Sequence, residues 1–106
     1  MFARGPFVQL KAKSVAEFTR TFENEITPLL RRQEGFQDEI TLVAPCGSEA
    51  MGISLWDKEE NADACNRRTY PEVLKALAKV VEEPPLVGIF EASNSTFHKI
   101  AARVTA

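Results

Sequence analysis

Cysteine and histidine are scarce in this sequence. The 106 residues include two cysteines, Cys46 and Cys65, and one histidine, His98. A structural zinc site needs about four such ligands, and the two cysteines do not form a Cys-x-x-Cys pair. We therefore expect no metal site of this type. Cys65 follows Ala62 at helical spacing and is expected to pack as a small apolar residue.

Long apolar runs and basic clusters are also missing. No run reaches the roughly 18 residues that a membrane-spanning helix requires, and the apolar stretch near Phe7 is too short for a signal peptide. The formal net charge is −2, and basic residues cluster no further than the pairs Arg31–Arg32 and Arg67–Arg68. A nucleic-acid-binding face normally carries a larger basic patch. The sequence therefore predicts a cytoplasmic protein that binds neither nucleic acid nor a membrane.

The composition that remains is that of one globular domain. Hydrophobic residues make up 44% and charged residues 26% of the chain, which is enough for a single core. We expect one domain over residues 1–106, with a core at about 7–93 and a C-terminal tail at 94–106. A chain of this size buries only roughly 65% of its unfolded surface, so pairing with a second copy would add stability.

Strand and helix patterns alternate along the chain. Period-two alternation predicts strands at 7–11 (or from Phe2), 36–44, 49–56 and 86–93. Apolar residues three and four positions apart predict helices from Ser14 to about 34, and from Lys58 to 83 with an interruption at Tyr70–Pro71. The tail has the same spacing at its apolar residues and is predicted to form a short helix. The order is that of the ferredoxin-like β-α-β-β-α-β fold, an α+β fold with a four-stranded antiparallel sheet.

Several residues carry local signals for turns and helix ends. Ser14 begins a Ser-x-x-Glu capping box, and Asp57 is placed as the N-cap of the second helical region. Pro28 lies inside the first helix and either kinks it or splits it in two. Gly35 is positioned for a left-handed cap after that helix.

The strands are half-apolar on both faces. In the second strand, alternation places Phe36 with Asp38 on one face and Glu39 on the other. Apolar neighbours such as Leu42 and Val43 therefore point in opposite directions. Helices on one side of the sheet leave its other face exposed, and soluble monomers avoid an exposed apolar patch as large as a sheet face. The pattern predicts a homodimer with two sheets stacked face to face.

The third strand ends in the only tryptophan of the chain. Gly52, Ser54 and Trp56 share one face, where two small residues leave room for a helix, a partner sheet or a ligand. Trp56 is then either a core anchor whose N–H finds one acceptor, or the wall of a pocket beneath the helices. The sequence leaves both interpretations open.

These features resemble one family. The segment Ile53-Ser54-Leu55-Trp56-Asp57-Lys58-Glu59-Glu60, with Gly35-Phe36 before it and Tyr70 after it, resembles the antibiotic biosynthesis monooxygenase (ABM) family of dimeric α/β barrels. The likeness covers about residues 7–93. It implies a homodimer of ferredoxin-like subunits, each with a small cavity between helices and sheet. It also implies cofactor-independent oxidation of a small aromatic or quinol-type substrate.

The family has a haem-degrading branch, which this chain does not match. Members of that branch place a histidine on the helix after the tryptophan strand and an asparagine on the first strand. Here residues 58–70 contain no histidine, and the first strand carries Gln9 with no asparagine. Haem degradation is therefore disfavoured.

A cofactor-free oxygenase needs a dry site, a group that deprotonates the substrate and a group that stabilises the anion. Near Trp56, the candidates are Asn66 as a donor to an oxyanion, Arg67 as its ion-pair partner and Tyr70 as a hydrogen-bond partner of a phenol. The candidate ligand-binding residues are Trp56, Phe22, Phe18 and Tyr70.

Each of these residues also has a purely structural interpretation, as a surface charge, a helix-break residue or part of the core. The sequence fixes no acid–base residue. A non-catalytic dimer that binds a small apolar ligand, for example an aromatic one, or a protein partner is therefore the alternative, and the sequence does not decide whether the chain is an enzyme.

Overall fold

The computed structural model describes residues 1–96; the predicted tail helix and His98 lie outside the described residues. Four strands form one sheet in the order β2-β3-β1-β4, with every neighbouring pair antiparallel. They are β1 (Phe2–Gln9), β2 (Phe36–Val43), β3 (Glu49–Trp56) and β4 (Leu86–Glu91). The predicted ferredoxin-like α+β fold is confirmed. β1 takes the earlier of its two predicted starts, Phe2, and this brings Arg4 into the sheet.

The helices cover one face of this sheet. They are α1 (Val15–Thr21), a π turn (Phe22–Ile26), α2 (Thr27–Arg31), α3 (Glu59–Arg68) and α4 (Tyr70–Leu77). The interruption between α3 and α4 lies at Thr69, one residue earlier than the sequence predicted, and Tyr70 is helical. Pro71 stands in the first turn of α4, where its missing N–H costs nothing.

Pro28 neither splits the first helix nor ends it. The backbone stays in the right-handed helical region at Ile26 and Thr27, and helical structure runs from Val15 to Arg31. Ahead of the proline the turn widens, and the Thr27 N–H donates to the Phe22 carbonyl five residues back. A proline ring clashes with the carbonyl four residues before it, and the π turn gives that carbonyl more room.

The helix starts differ from the sequence interpretation. Ser14 is the N-cap of α1, but its side chain makes no capping hydrogen bond, so the predicted capping box is not formed. The N-cap of α3 is Lys58, and the carboxylate of Asp57 accepts a hydrogen bond of 2.8 Å from Asn61 Nδ2 instead. Gly35 has a φ of +79°, as predicted for a left-handed cap, and the side chains of Asp57 and Asn61 pack directly over it.

A bulge in β2 changes which side chains share a face. Phe36 pairs with Trp56 and Asp38 pairs with Leu55, so Gln37 is the extra residue. Alternation alone predicts Phe36 and Asp38 on the same face, and this prediction is wrong because the bulge shifts the register by one residue. Phe36 turns toward the helices and meets Trp56 edge to face, with ring centroids 5.5 Å apart.

The two faces of the sheet differ sharply. Beneath the helices lies the buried core, which includes Val8, Phe18, Ile26, Leu30, Trp56, Leu77 and Val80. On the uncovered face stand five large exposed apolar residues: Phe7, Ile40, Leu42, Leu86 and Phe90. Leu86 is 81% exposed and Phe90 is 65% exposed. These side chains form the bare apolar face that the strand patterns predict. Within residues 1–96, no helix is long and apolar enough to cross a membrane.

Candidate functional site

A small cavity lies between the helices and the sheet. Its free volume is about 10 Å³, close to the space that one water molecule requires. It is lined by Arg4, Pro6, Phe22, Ile26, Leu30, Glu39, Gly52, Ser54 and Val73. The cavity is therefore mostly apolar, with a cation, a carboxyl group and a hydroxyl group at its wall.

Trp56 lies in the core next to this cavity and does not line it. Its side chain is fully buried, and its indole N–H donates to the Ser54 hydroxyl at 2.9 Å. The Ser54 hydroxyl donates in turn to the Arg4 carbonyl at 3.2 Å. This arrangement favours the core-anchor interpretation of Trp56, and leaves Ser54 as the residue of the pair that reaches the cavity.

The room above Gly52 is filled by a helix side chain. A Cβ atom on Gly52 would lie 2.6 Å from Cζ of Phe22, so the phenyl ring rests on the glycine backbone. Phe22 lies in the π turn and lines the cavity. Phe18 is fully buried beside it, with ring centroids 5.4 Å apart, but does not line the cavity. Of the two phenylalanines named as candidate ligand-binding residues, Phe22 reaches the free space and Phe18 does not.

A buried arginine on β1 gathers two of the candidate residues. Arg4 is 2% exposed, and its Nη2 donates to Asn66 Oδ1 at 3.0 Å. Its guanidinium carbon lies 4.3 Å from the centre of the Tyr70 ring, which is cation–π distance. The Tyr70 hydroxyl donates to the Pro85 carbonyl at 3.4 Å. Asn66 comes from α3 and Tyr70 from α4, so the cluster joins both helices to the sheet.

The charge of Arg4 is poorly compensated. Burial lowers its pKa, and the groups that oppose this are the Cys65 thiol and the Tyr70 phenol. Burial raises the pKa of both of these groups, so they are neutral near pH 7. Within residues 1–96, Nε of Arg4 is a buried side-chain atom without a hydrogen-bond partner. Leaving such a donor unpaired costs about 1–3 kcal/mol.

Glu39 is the carboxyl group at the cavity wall. On β2, Glu39 lies opposite Ser54 of β3 in the strand pairing, and its side chain is on the face of the sheet that the helices cover. Burial raises its pKa, and a hydrogen bond from the Thr41 hydroxyl partly opposes that shift. A carboxylate with a raised pKa is a better proton acceptor at neutral pH than an ordinary one.

Arg67 is not part of this cluster. Its side chain is 66% exposed and pairs with Asp63 at 3.3 Å, one helical turn before it. Arg67 is therefore a surface charge, the structural alternative given above, and an exposed ion pair of this kind contributes little to the stability of the fold. Within residues 1–96, no group of three or more histidine, cysteine or acidic residues is placed to hold a metal ion.

Sequence reasoning missed Arg4 and Glu39, although both had a signal. Extending the alternation of the first strand back to Phe2 places Arg4 on the same face as Val8, where a charge is unexpected. Glu39 shares a face with Val43, which packs against the core. A charged residue at an inward position of a half-buried strand is the feature that would have identified both.

Several solved structures have the same fold. A proposed antibiotic biosynthesis monooxygenase from Bordetella bronchiseptica is 16% identical, with a TM-score of 0.72 over 86% of this chain and 95% of that one. The monooxygenase ActVA-Orf6 of Streptomyces coelicolor, in complex with nanaomycin D, is 12% identical, with a TM-score of 0.73 over 89% and 88%. SnoaB, a cofactor-independent oxygenase from Streptomyces nogalater, is 18% identical, with a TM-score of 0.71 over 90% and 95%.

Neither a protein-family model nor a curated protein sequence matches the chain. At identities of 12–18%, the structural matches show the fold and no more. The fold that they share with this chain is the one that the resemblance to the antibiotic biosynthesis monooxygenase family implies, over most of the chain.

Proposed function

We propose that the chain binds a small aromatic or quinol-type molecule between its helices and sheet and oxidises it with O₂, without a cofactor. The observation that carries this proposal is the convergence of Asn66 and Tyr70 on the buried Arg4, close to the cavity that Arg4 lines. The fold is the one found in SnoaB, a cofactor-independent oxygenase, and in ActVA-Orf6, which binds nanaomycin D.

The reaction needs no added reductant for a substrate of this class. For a phenol whose keto tautomer carries a CH₂ group, loss of a proton gives an electron-rich anion that O₂ can oxidise. One oxygen atom replaces the two hydrogens as a carbonyl, and the other leaves as water. The four electrons that O₂ accepts all come from the substrate carbon. The protein then has to remove a proton, stabilise the anion and exclude water.

The cluster offers a residue for each of these tasks. Glu39, with its raised pKa, accepts the proton. The amide of Asn66, oriented by its hydrogen bond to Arg4, donates to the substrate oxygen. Tyr70 covers the cluster from α4 and helps to keep it dry. Arg67, which the sequence suggested as the ion-pair partner, is replaced in this scheme by Arg4.

An aromatic ring requires more room than the cavity has. A free volume of about 10 Å³ holds one oxygen atom, whereas cavities that take up benzene measure roughly 150 Å³. Phe22 is the aromatic side chain in the lining, and it comes from the π turn, where the regular α-helical hydrogen bonding is interrupted. Binding is therefore expected to displace the Phe22 ring from Gly52.

We also propose a homodimer, formed through the uncovered sheet face. An apolar groove of about 400 Å³ runs along this face and includes Phe7, Met51, Ile53, Leu86 and Phe90. A second copy presents the same surface, so each sheet covers the other. Sedimentation at micromolar concentration is expected to give twice the chain mass, and Phe90→Lys to give the single mass. A wild-type chain that sediments as a monomer would refute this part of the proposal.

Oxygen uptake tests the proposed reaction. Purified protein is assayed against a panel of quinols and keto-phenols, with substrate autoxidation in buffer subtracted. Asn66→Ala is expected to lower kcat by about 100-fold, the effect of removing one oxyanion donor. Arg67→Ala is the matched control from the same helix and is expected to leave kcat unchanged. No uptake above buffer across the panel would count decisively against an oxygenase.

The alternative is a non-catalytic dimer that binds a small ligand or a protein partner. The small volume of the cavity favours it, because a site that is nearly full has little space for both substrate and O₂. Native mass spectrometry separates the two possibilities. A retained aromatic ligand without oxygen uptake would support the binding protein, and uptake with an empty purified dimer would support the enzyme.

A further inference from the structure

We infer that Arg4 is an anion-binding residue, and that the molecule bound here is an aromatic whose polar head is an anionic oxygen, a carboxylate or a phenolate. This inference rests on the proposed function only in placing the ligand in the cavity between helices and sheet. It does not require that the ligand be oxidised.

The first argument is the state of the guanidinium group. A buried charge is costly unless it is paired and its donors are used. Arg4 is 2% exposed, and Nε has no hydrogen-bond partner within residues 1–96. Among the described residues, its side chain donates a hydrogen bond to a neutral amide, that of Asn66, and the groups that raise its pKa are a thiol and a phenol. An anionic oxygen would supply both the missing acceptor and the missing negative charge.

The second argument is the free space. The cavity that Arg4 lines has room for about one oxygen atom. Most of its other lining is apolar, from Pro6, Phe22, Ile26, Leu30 and Val73. A hydrated inorganic anion gains nothing from such walls, whereas a flat apolar ring does. The lining therefore favours an organic anion with its oxygen at Arg4 and its ring in the space that opens when Phe22 moves away from Gly52.

Glu39 lines the same cavity and would repel an anion while ionised. Its raised pKa favours uptake of a proton by Glu39 when an anion enters. Glu39→Gln is therefore expected to bind the anion at least as tightly as the wild type. The same substitution removes the proton acceptor of the proposed oxidation, so binding and turnover respond in opposite directions.

Benzoate and benzamide form a matched pair of probes, because they share a ring and differ in the charge of the head group. Binding is measured without O₂, by thermal shift and by the fluorescence of Trp56, whose N–H is linked through Ser54 to the Arg4 backbone. Benzoate is expected to bind at least about tenfold more tightly than benzamide, the usual advantage of a hydrogen bond to a charged group.

Substitution of Arg4 then separates a ligand-binding role from a structural one. Arg4→Met keeps the length and apolar stem but removes the charge, and is expected to abolish the preference for benzoate. Without ligand, its melting temperature is expected to equal or exceed that of the wild type, since an uncompensated buried charge has been removed. Arg4→Lys keeps the positive charge at this position. It is the second variant of Arg4 that is measured in case Arg4→Met does not fold. Arg67→Met is the matched surface control and should keep the full preference.

The inference is overturned by equal affinities for benzoate and benzamide, or by a preference for benzoate that survives Arg4→Met. A preference that depends on Arg4, in a protein that consumes no O₂, supports the anion site and refutes the oxygenase. Oxygen uptake with the same kcat and KM in Arg4→Met as in the wild type refutes the anion site at Arg4 and supports the oxygenase.

Discussion

Gly52→Ala tests the close approach of the first helix to the sheet. The added methyl carbon would lie 2.6 Å from Cζ of Phe22, about 1 Å short of normal carbon–carbon contact. Phe22 is 6% exposed and packs on Phe18, so without a ligand to fill the vacated space, moving its ring away from Gly52 would disrupt core packing. Overpacking of this size costs about 1–3 kcal/mol. In a strand interior, unhindered replacement of glycine by alanine instead gains roughly 0.5–1 kcal/mol, so the two effects differ in sign.

The assay is urea unfolding, in which a change of midpoint at constant slope reports a change in stability. Gly5→Ala is the matched control, because a Cβ atom there meets nothing within 4 Å. Gly5 lies on the uncovered face, so the comparison is made at a dilution at which chain association does not contribute. Gly52→Ala is expected to lower the midpoint, and Gly5→Ala to leave it unchanged or raise it.

A double-mutant cycle assigns the cost to the contact itself. Leucine at position 22 lacks the ring atom that the new methyl group would strike. Phe22→Leu and Gly52→Ala together are therefore expected to cost less than the sum of the two single changes, by about 1 kcal/mol or more. If Gly52→Ala is as stable as the wild type, or if the two changes are additive, the ring does not rest on the glycine as described.

Three further results are expected. Because burial raises the pKa of Glu39, the folded state binds its proton more tightly than the unfolded chain does, and this group lowers stability as pH rises above the ordinary glutamate pKa. Glu39→Gln should thus be more stable than the wild type at pH 7, with a difference that disappears near pH 4 in urea titrations. In a thiol-reagent assay, Cys46 should react quickly, since it is exposed and its hydrogen bond to a serine lowers its pKa, whereas buried Cys65 should react only on unfolding. Arg67→Ala should change the free energy of unfolding by less than about 0.5 kcal/mol, because its pair with Asp63 is exposed; a larger loss would show that this pair has a structural role.

The sheet could be predicted from the sequence because alternation and turn chemistry are local properties. The period-two alternation over residues 36–44 and 49–56 places β2 and β3 without tertiary information. The bulge at Gln37 could not be read this way, since its pairing depends on where Phe36 fits against Trp56 in the assembled core.

The candidate site was only partly predictable. Asn66 and Tyr70 can be named as candidates from the sequence because they follow the tryptophan strand at helical spacing. Arg4 was missed because it precedes Gly5 and Pro6, and a proline favours a strand that starts at or after it, whereas β1 accommodates Pro6 within the strand. Arg4 contacts Asn66 because β1 pairs with its neighbours in the middle of the sheet. The two residues are 62 positions apart in the sequence, so local patterns do not reveal this contact.

The widened turn ahead of Pro28 has a consequence for comparing this chain with others. A π turn takes up one residue more than an α turn while leaving the helix on either side in phase. A one-residue deletion between Phe22 and Ile26 would thus preserve the facing of Phe18 and Leu30, whereas a deletion elsewhere in the helix would rotate one end by about 100°. In an alignment, a single-residue gap in the first helix is therefore expected at this turn, together with loss of the proline at position 28, whose ring the widened turn accommodates.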